Sequence, residues 1–509
     1  MLMTGLDYRE SLRPYRPRVY IDGRQVENIV DEPAVQPGLN AIAVTYDYAH
    51  DEQASRLLRA TQSSSGQTVN RMLHINDSPD DLLTKLEAVR LVCKASGCAQ
   101  RYLSHDALNA IHQATHRVDE DKGTDYHQRF LPYLHRVQEL DLTLGVAMTD
   151  AKGDRSLRPH AQPVADTYVH ITARRPDGIV IRGTKAIVTG APYVHEFLVM
   201  PGRNMTERDA DFAVCCAVPL DAPGVTIISR PAGRPGEKSA HFSGRYGQSV
   251  GVVVFEDVFV PHERVFLAGE WEHSGFLTGA YATHHRHSCI GARAGFGDLL
   301  IGAGVHMIEA NGLDPSSGHL RDSMVELIKI VEGFYACGVA ASVYGFEDPA
   351  GNYQPDTVYS NIGKLLLGYQ IYDMHRIAHE VSGGLVVALP GPDEDHNPVS
   401  RATLSEVLRG RADIPAERRV QLGRLMEDLT ASYTGGWYSV ISLHGGGSPE
   451  AMKREIYRHY PLEDRRDLVT QLLDRGVYKP AVISPGRQPG RCCAAGCNAP
   501  EPGESKSRE

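Results

Sequence analysis

The stretch Thr283-His284-His285-Arg286-His287-Ser288-Cys289 packs three imidazoles, a guanidinium, two hydroxyls and a thiol into seven residues. On a helix, His285 and Cys289 stand one turn apart on the same face, which sets an imidazole beside a thiol. A helix cannot turn all three histidines and the cysteine towards one ion, and no His-Glu-x-x-His pattern accompanies them. The segment therefore reads as a buried, hydrogen-bonded histidine facing a cavity, with no metal centre expected. An imidazole titrates near neutrality, so His285 is the first candidate for an acid/base or substrate-orienting group.

Four other segments offer chemistry of a different kind. Ala147-Met148-Thr149-Asp150-Ala151-Lys152-Gly153-Asp154-Arg155 supplies small residues, backbone donors, a hydroxyl and an arginine, suited to a planar ring edge and a phosphate. Its alternative reading is a plain helix-to-strand connector. In Lys185-Ala186-Ile187-Val188-Thr189-Gly190-Ala191-Pro192, a threonine followed by glycine lets a flat ring approach the backbone, although a β-turn explains it equally well. Ser382-Gly383-Gly384-Leu385 and His444-Gly445-Gly446-Gly447-Ser448-Pro449 interrupt helical stretches and expose N–H groups, as ordinary caps also do. Near the C-terminus, Cys492, Cys493 and Cys497 lack the fourth ligand of a structural zinc site.

The elements that must position these residues fall into three blocks. Ser78 as N-cap and Pro79 at the first helical position open a helix whose apolar face is Leu82, Leu86, Val89 and Cys93. Further helices are expected over Ser104–His116, capped by Ser104, and over Tyr126–Glu139. After Asp141, β-rich runs at Thr167–Ala173, Gly178–Ile181, Phe197–Met200, Phe212–Val218 and Val250–Phe255 point to an antiparallel sandwich or barrel. Helical periodicity returns over Ala282–Asn311, Gly318–Val343, Thr357–Val381 and Pro415–Thr434, which suits an antiparallel bundle. The expected domains are 1–140, mainly helical; 141–270, the β-domain; 271–482, the bundle; and 483–509, an extended or disordered tail.

Composition removes several function classes. With 509 residues, 42% hydrophobic content and a formal charge of -10, the chain has ample core and no concentrated basic surface for nucleic acid. No apolar run reaches the ~18–20 residues that span a bilayer, and residues 1–20 lack the apolar core of a signal peptide. Nine cysteines in a chain this long suggest reduced thiols in a cytoplasmic protein. Neither a Gly-x-Gly-x-x-Gly after a strand nor a Walker A pattern is present.

Taken in order, the segments resemble the family of the 4-hydroxybutyryl-CoA dehydratases and the 4-hydroxyphenylacetate 3-monooxygenases. Met3-Thr4-Gly5-Leu6-Asp7-Tyr8 with Ser11-Leu12 is similar to the family's opening. Ala147–Arg155, Thr189-Gly190, Phe255-Glu256-Asp257-Val258-Phe259-Val260-Pro261 and His444–Pro449 continue the likeness over nearly the whole chain, closer to the dehydratase branch. The resemblance implies an α+β, acyl-CoA dehydrogenase-like fold: an N-terminal helical domain, a middle antiparallel β-domain and a C-terminal helical bundle. It also implies FAD between the β-domain and the bundle, in a homotetramer or homodimer. By likeness, Met148, Thr149, Asp150, Arg155, Ile187, Val188, Thr189 and Gly190 would line the flavin. Gly383, Gly384, His444 and Gly445 would complete the site, in part from a neighbouring subunit.

The departures shape the expected chemistry. The dehydratases hold a [4Fe–4S] cluster on three cysteines and a histidine; here Cys98 and His285 fall at two of those positions and Tyr102 and Ala292 at the others. Two ligands cannot retain a cubane, so no iron–sulfur cluster is expected. Cys93 and Cys289 lie nearby but not at the matching spacing, and Cys289 replaces a tyrosine of the dehydratase site. In the monooxygenases an Arg-Ser-Pro-Asp-Tyr pattern orients a phenol; the matching stretch here is Leu103-Ser104-His105-Asp106-Ala107, and a histidine of those enzymes falls at Val146. The expected function is a two-component monooxygenase that takes FADH2 from a diffusing flavin reductase and O2 as co-substrate, and oxidises an aromatic or carrier-bound small molecule. His285 leads the catalytic candidates, followed by Tyr102, His105 and Cys289. The alternatives are an FAD-containing hydroxyacyl-CoA dehydratase or isomerase without a cluster, and a non-catalytic flavin-fold binding protein.

Overall fold

A computed structural model of the chain describes residues 2–475, so the Cys492, Cys493 and Cys497 motif lies outside the described residues. Met1–His459 forms one compact unit, and the chain from Tyr460 forms a second, containing the helix Leu462–Arg475. Among the described residues no helix is long and apolar enough to cross a membrane.

Local chemistry explains where the main helices begin and end. Ser78 accepts a hydrogen bond from the Asp81 N–H at 3.1 Å, Pro79 opens the helix Pro79–Ser96, and Gly97 at φ 70° closes it. The next helix runs Tyr102–Lys122, so Ser104 is inside it rather than capping it. The Ser104 hydroxyl is instead committed to a neighbouring strand, donating to the Leu144 carbonyl at 3.1 Å and accepting from the Leu144 N–H at 3.0 Å. Tyr126–Glu139 matches the expectation from sequence.

The β-region holds two sheets. In the larger, the strands run Arg24–Val26, Arg18–Ile21, Val225–Ser229, Val250–Pro261, Gly178–Thr189, His170–Arg175; in the smaller, Val265–Ala268, Val214–Pro219, Glu196–Val199, Leu144–Ala147. Two pairings depart from the expected antiparallel pattern. Arg18–Ile21 lies parallel to Val225–Ser229, and Leu144–Ala147 lies parallel to Glu196–Val199. Through the first, residues 1–140 contribute a strand to the β-region, with Val19 and Ile21 fully buried on one face of the larger sheet.

The helix Trp271–Ala310 is the spine of the molecule, 40 residues and about 60 Å long, beginning well before the expected Ala282. Its small residues permit a close crossing with Pro79–Ser96: a Cβ on Gly295 would lie 2.4 Å from the Arg90 carbonyl oxygen. Gly318–Val343 and Thr357–Ser382 pack beside it. The helix expected over Pro415–Thr434 is two helices, Ala416–Thr430 and Tyr433–His444. Ser432 breaks the run, its side chain accepting from the N–H groups of Thr434 and Gly435.

Candidate functional site

The turn after Pro79–Ser96, the strand ending at Thr189 and the bundle helices meet around a narrow cavity of about 50 Å³. Cys98, Gln100, Tyr102 and Leu103 form one wall, and Thr189 contributes from the larger sheet. The long helix presents His285, Cys289 and Arg293, each one turn beyond the last. Lys364 and Leu367 come from Thr357–Ser382; Trp437, Ile441, Ser442 and Gly445 come from the last bundle helix and the glycine run after it. Gly97 makes the first wall possible, since a Cβ there would lie 2.0 Å from the Tyr438 hydroxyl.

A line of polar groups runs from the core to the cavity. Asp106 is fully buried on the helix Tyr102–Lys122. It accepts from Ser288 Oγ at 2.6 Å and from His285 Nδ1 at 3.1 Å, and Lys85 Nζ lies 3.7 Å away while donating to Ser288 Oγ at 2.8 Å. Because an ionised carboxylate only accepts, the Asp106 bond fixes the proton on His285 Nδ1. The other ring nitrogen, Nε2, then faces Cys289 Sγ at 3.6 Å. The imidazole lies nearly parallel to the rings of Tyr281 and Tyr102, at centroid distances of 5.4 and 6.1 Å.

These contacts set the charges. Burial opposes charge on His285, but the Cys289 thiolate and Asp106 outweigh it and raise its pKa to about 10. Burial likewise opposes ionisation of Cys289, and the adjacent imidazolium reverses that and lowers it. Cys98 is lowered to about 6, first by a hydrogen bond from the Cys93 thiol and, against burial, by the nearby Arg293 guanidinium. Burial lowers Lys364 to about 8 although the Cys289 charge favours its ammonium. The wall thus sets an imidazole and a thiol that favour each other's charged forms beside Arg293 and Lys364, the kind of cluster of perturbed groups found at functional sites.

The structure gathers only part of the expected site. His285, Tyr102 and Cys289 reach the cavity, whereas His105 does not. His105 is buried behind the wall, its Nε2 at 2.9 Å from Asn76 Oδ1, and burial lowers it to about 4, so it is a neutral packing residue. Thr189 and Gly445 line the cavity. Gly190 backs it at φ 75°, where a Cβ would lie 1.6 Å from the Gln100 side-chain nitrogen. Ile187 is exposed and Val188 fully buried, on opposite faces of their strand.

The segment from Met148 is docked on that same strand. Asp150 pairs with buried Lys185 at 2.7 Å, the Met148 carbonyl accepts from Lys185 Nζ at 3.0 Å, and the Thr149 carbonyl accepts from the Ala186 N–H at 2.8 Å. Arg155 and His444 lie on the exposed surface. Gly383 and Gly384 follow the far end of Thr357–Ser382, about 27 Å along its axis from Lys364, so this chain does not bring them to its own cavity. Sequence reasoning missed Gln100, Arg293 and Lys364. Arg293 was within reach as the next turn of the His285–Cys289 stripe; Lys364 carries no local signal.

Residues 4–267 match the model of the 4-hydroxyphenylacetate 3-hydroxylase N-terminal domain, and residues 275–474 match that of the C-terminal domain. The chain is 36% identical over 483 residues to 4-hydroxybutyryl-CoA dehydratase/vinylacetyl-CoA-Delta-isomerase of Clostridium aminobutyricum, covering 92% of this chain and 98% of that protein. It is 25% identical to the oxygenase component of 4-hydroxyphenylacetate 3-monooxygenase of Thermus thermophilus, covering 94% and 98%. Among solved structures, an oxygen-tolerant archaeal 4-hydroxybutyryl-CoA dehydratase from N. maritimus superposes with a TM-score of 0.90 at 34% identity, covering 94% and 96%. The FAD complex of a 4-hydroxyphenylacetate 3-monooxygenase oxygenase component superposes with a TM-score of 0.82 at 23% identity, covering 93% and 99%, a likeness of fold. These relatives are enzymes of both chemistries, with the higher identity on the dehydratase side, and the α+β architecture is theirs. The chain belongs to the 4-hydroxyphenylacetate 3-hydroxylase family.

Proposed function

We propose that the protein is a flavin-dependent monooxygenase of the two-component kind, using FADH2 from a separate reductase and O2 to oxidise a small aromatic or carrier-bound substrate in the cavity beside His285. The observation that carries this reading is the fate of the four positions where the dehydratases would hold a cluster. Cys98 and His285 remain, but Tyr102 places its hydroxyl 3.5 Å from Cys98 Sγ and Ala292 has no donor atom. The remaining thiol on the wall, Cys289, is in contact with His285 itself. The donors are engaged with one another and do not fit a cubane, so the reading assigns no iron–sulfur cluster and no step to one.

A flavin fits the same residues better. Thr189 and Gly190 keep the strand end low, Trp437 offers a flat face, and Gln100 has a buried side-chain oxygen with no hydrogen-bond partner, matched to a ring N–H. When bound, the reduced flavin supplies the two electrons with which O2 is activated. The chain's own work is to exclude water and manage protons. Tyr281, Tyr102 and Leu103 shield the His285 face, Asp106 holds Nδ1–H, and His285 Nε2 with Cys289 Sγ holds one proton that can be delivered to an oxygen entering the cavity.

A second reading, an FAD-containing acyl-CoA isomerase, is favoured by the same acid/base pair and by the 36% identity to the clostridial dehydratase/isomerase. Aerobic and anaerobic assays separate the two. The monooxygenase reading expects protein-bound FADH2 to be reoxidised by O2 with less peroxide release than free FADH2, and no anaerobic turnover. Anaerobic conversion of vinylacetyl-CoA to its conjugated isomer, with peroxide release equal to that of free FADH2, replaces it by the second.

A further inference from the structure

Two cations on the cavity wall, Arg293 and Lys364, have only thiols as acidic neighbours and no carboxylate partner among the described residues. Arg293 is 4% exposed, and its Nη1 has no hydrogen-bond partner. Its guanidinium carbon lies 5.2 and 6.0 Å from the ring centroids of Tyr438 and Phe296, contacts that attract the cation without neutralising it. Lys364 is fully buried and donates to the Ser442 carbonyl at 2.5 Å, which occupies one of its three protons. Among the described residues neither forms an ion pair with a carboxylate, and no aspartate or glutamate lines the cavity.

Burying a cation in excess of the anions around it is costly, so such a pair is expected where a ligand completes it. The thiols do not complete it. With Cys98 and Cys289 both ionised, the anions Cys98, Cys289 and Asp106 face the cations Lys85, His285, Arg293 and Lys364, leaving one positive charge in excess. The lining already gives an anion hydrogen-bond donors on two sides, while Leu103, Leu367 and Ile441 offer apolar surface for the carbon skeleton behind it. A planar guanidinium matches a planar carboxylate with two parallel hydrogen bonds, and a lysine adds a point charge at its flank.

We propose that Arg293 and Lys364 form a carboxylate subsite, so that the substrate of this cavity enters as a carboxylate anion with its reacting end towards His285 and Cys289. The inference rests on this cavity being the substrate site, but it needs neither flavin nor oxygen, so its failure can be told apart from failure of the oxygenase reading.

Cys289 provides an internal reporter. Iodoacetate and iodoacetamide share a reactive carbon, and in each case the Cys289 sulfur displaces iodide and forms a carbon–sulfur bond. Only iodoacetate carries the carboxylate. Alkylation of flavin-free protein, quantified by peptide mass spectrometry, is expected to be about tenfold faster at Cys289 with iodoacetate than with iodoacetamide, and saturable with iodoacetate alone. The Arg293→Gln and Lys364→Gln variants should each lose the saturation and most of the preference. Equal rates, or a preference that survives both substitutions, overturn the subsite. Should Cys289 escape both reagents, the unaltered protein still decides: acetate must raise the thermal midpoint above acetamide at matched ionic strength, and an equal midpoint with the two overturns the proposal.

Discussion

Two buried lysines, Lys185 in the larger sheet and Lys364 in the bundle, are alike in sequence character and opposite in circumstance. Lys185 is 1% exposed, and all three of its protons are taken: by Asp150 at 2.7 Å and by the carbonyls of Met148 and Met200 at 3.0 and 2.8 Å. Lys364 is just as buried and has one carbonyl and an open cavity. The first lysine locks the segment from Met148 to the strand that carries Thr189. The second holds a charge to which the described residues offer no carboxylate. Burial alone therefore says little about role; the count of satisfied protons separates scaffold from site.

Breaking the satisfied pair should produce the largest change. Asp150→Ala leaves Lys185 charged and enclosed, and is expected to destabilise the protein by about 3–5 kcal/mol in chemical denaturation. A loss below about 1 kcal/mol would mean that the pair is not the lock described. Lys364→Met should do the reverse, leaving stability nearly unchanged or slightly raised, because the Ser442 carbonyl loses one donor but no buried carboxylate is abandoned, while carboxylate binding falls about tenfold. A collapse of stability in this variant would erase the distinction between the two lysines.

Acidity sharpens the contrast further. Lys364 is lowered to about 8 from an ordinary 10.5 by burial, so the folded state disfavours its proton. Below about pH 8 that penalty is present in full. As pH rises from about 8 to 10.5 the unfolded chain binds more protons than the folded one, and this group's contribution to stability increases. Carboxylate binding runs the other way, strongest below about pH 8 and weaker as Lys364 loses its charge, with Arg293 still charged. Lys364→Met should flatten both trends, measured as denaturation midpoints and acetate affinities across pH 7–9.5. The smallest effect is expected at Arg155, exposed at the end of the docked segment: Arg155→Ala should stay within about 0.5 kcal/mol in stability.

The sequence carried the architecture well and the site in part, for physical reasons. Helices with a cap, a proline and a long apolar face, such as Pro79–Ser96, are local objects and were readable to the residue at their start. Arg18–Ile21 was not, because its place in the sheet depends on a partner over two hundred residues away. The stripe from His285 to Cys289 was legible because helical spacing places it. Lys364, Gln100 and the Asp106 bond to His285 were not, since each meets the cavity only through packing between distant elements. The same holds for His105: one position from Asp106, it faces Asn76 instead of the cavity, which only the packing of distant elements decides.

The central claim is that the cleft between the strand ending at Thr189 and the bundle houses a reduced flavin with no iron cluster beside it. Anaerobic titration of the purified protein with FADH2, with bound flavin and iron counted after ultrafiltration, tests it most directly. The account requires one flavin per chain and no stoichiometric iron. A protein that retains no flavin in either redox state, or that carries four irons per chain, contradicts it.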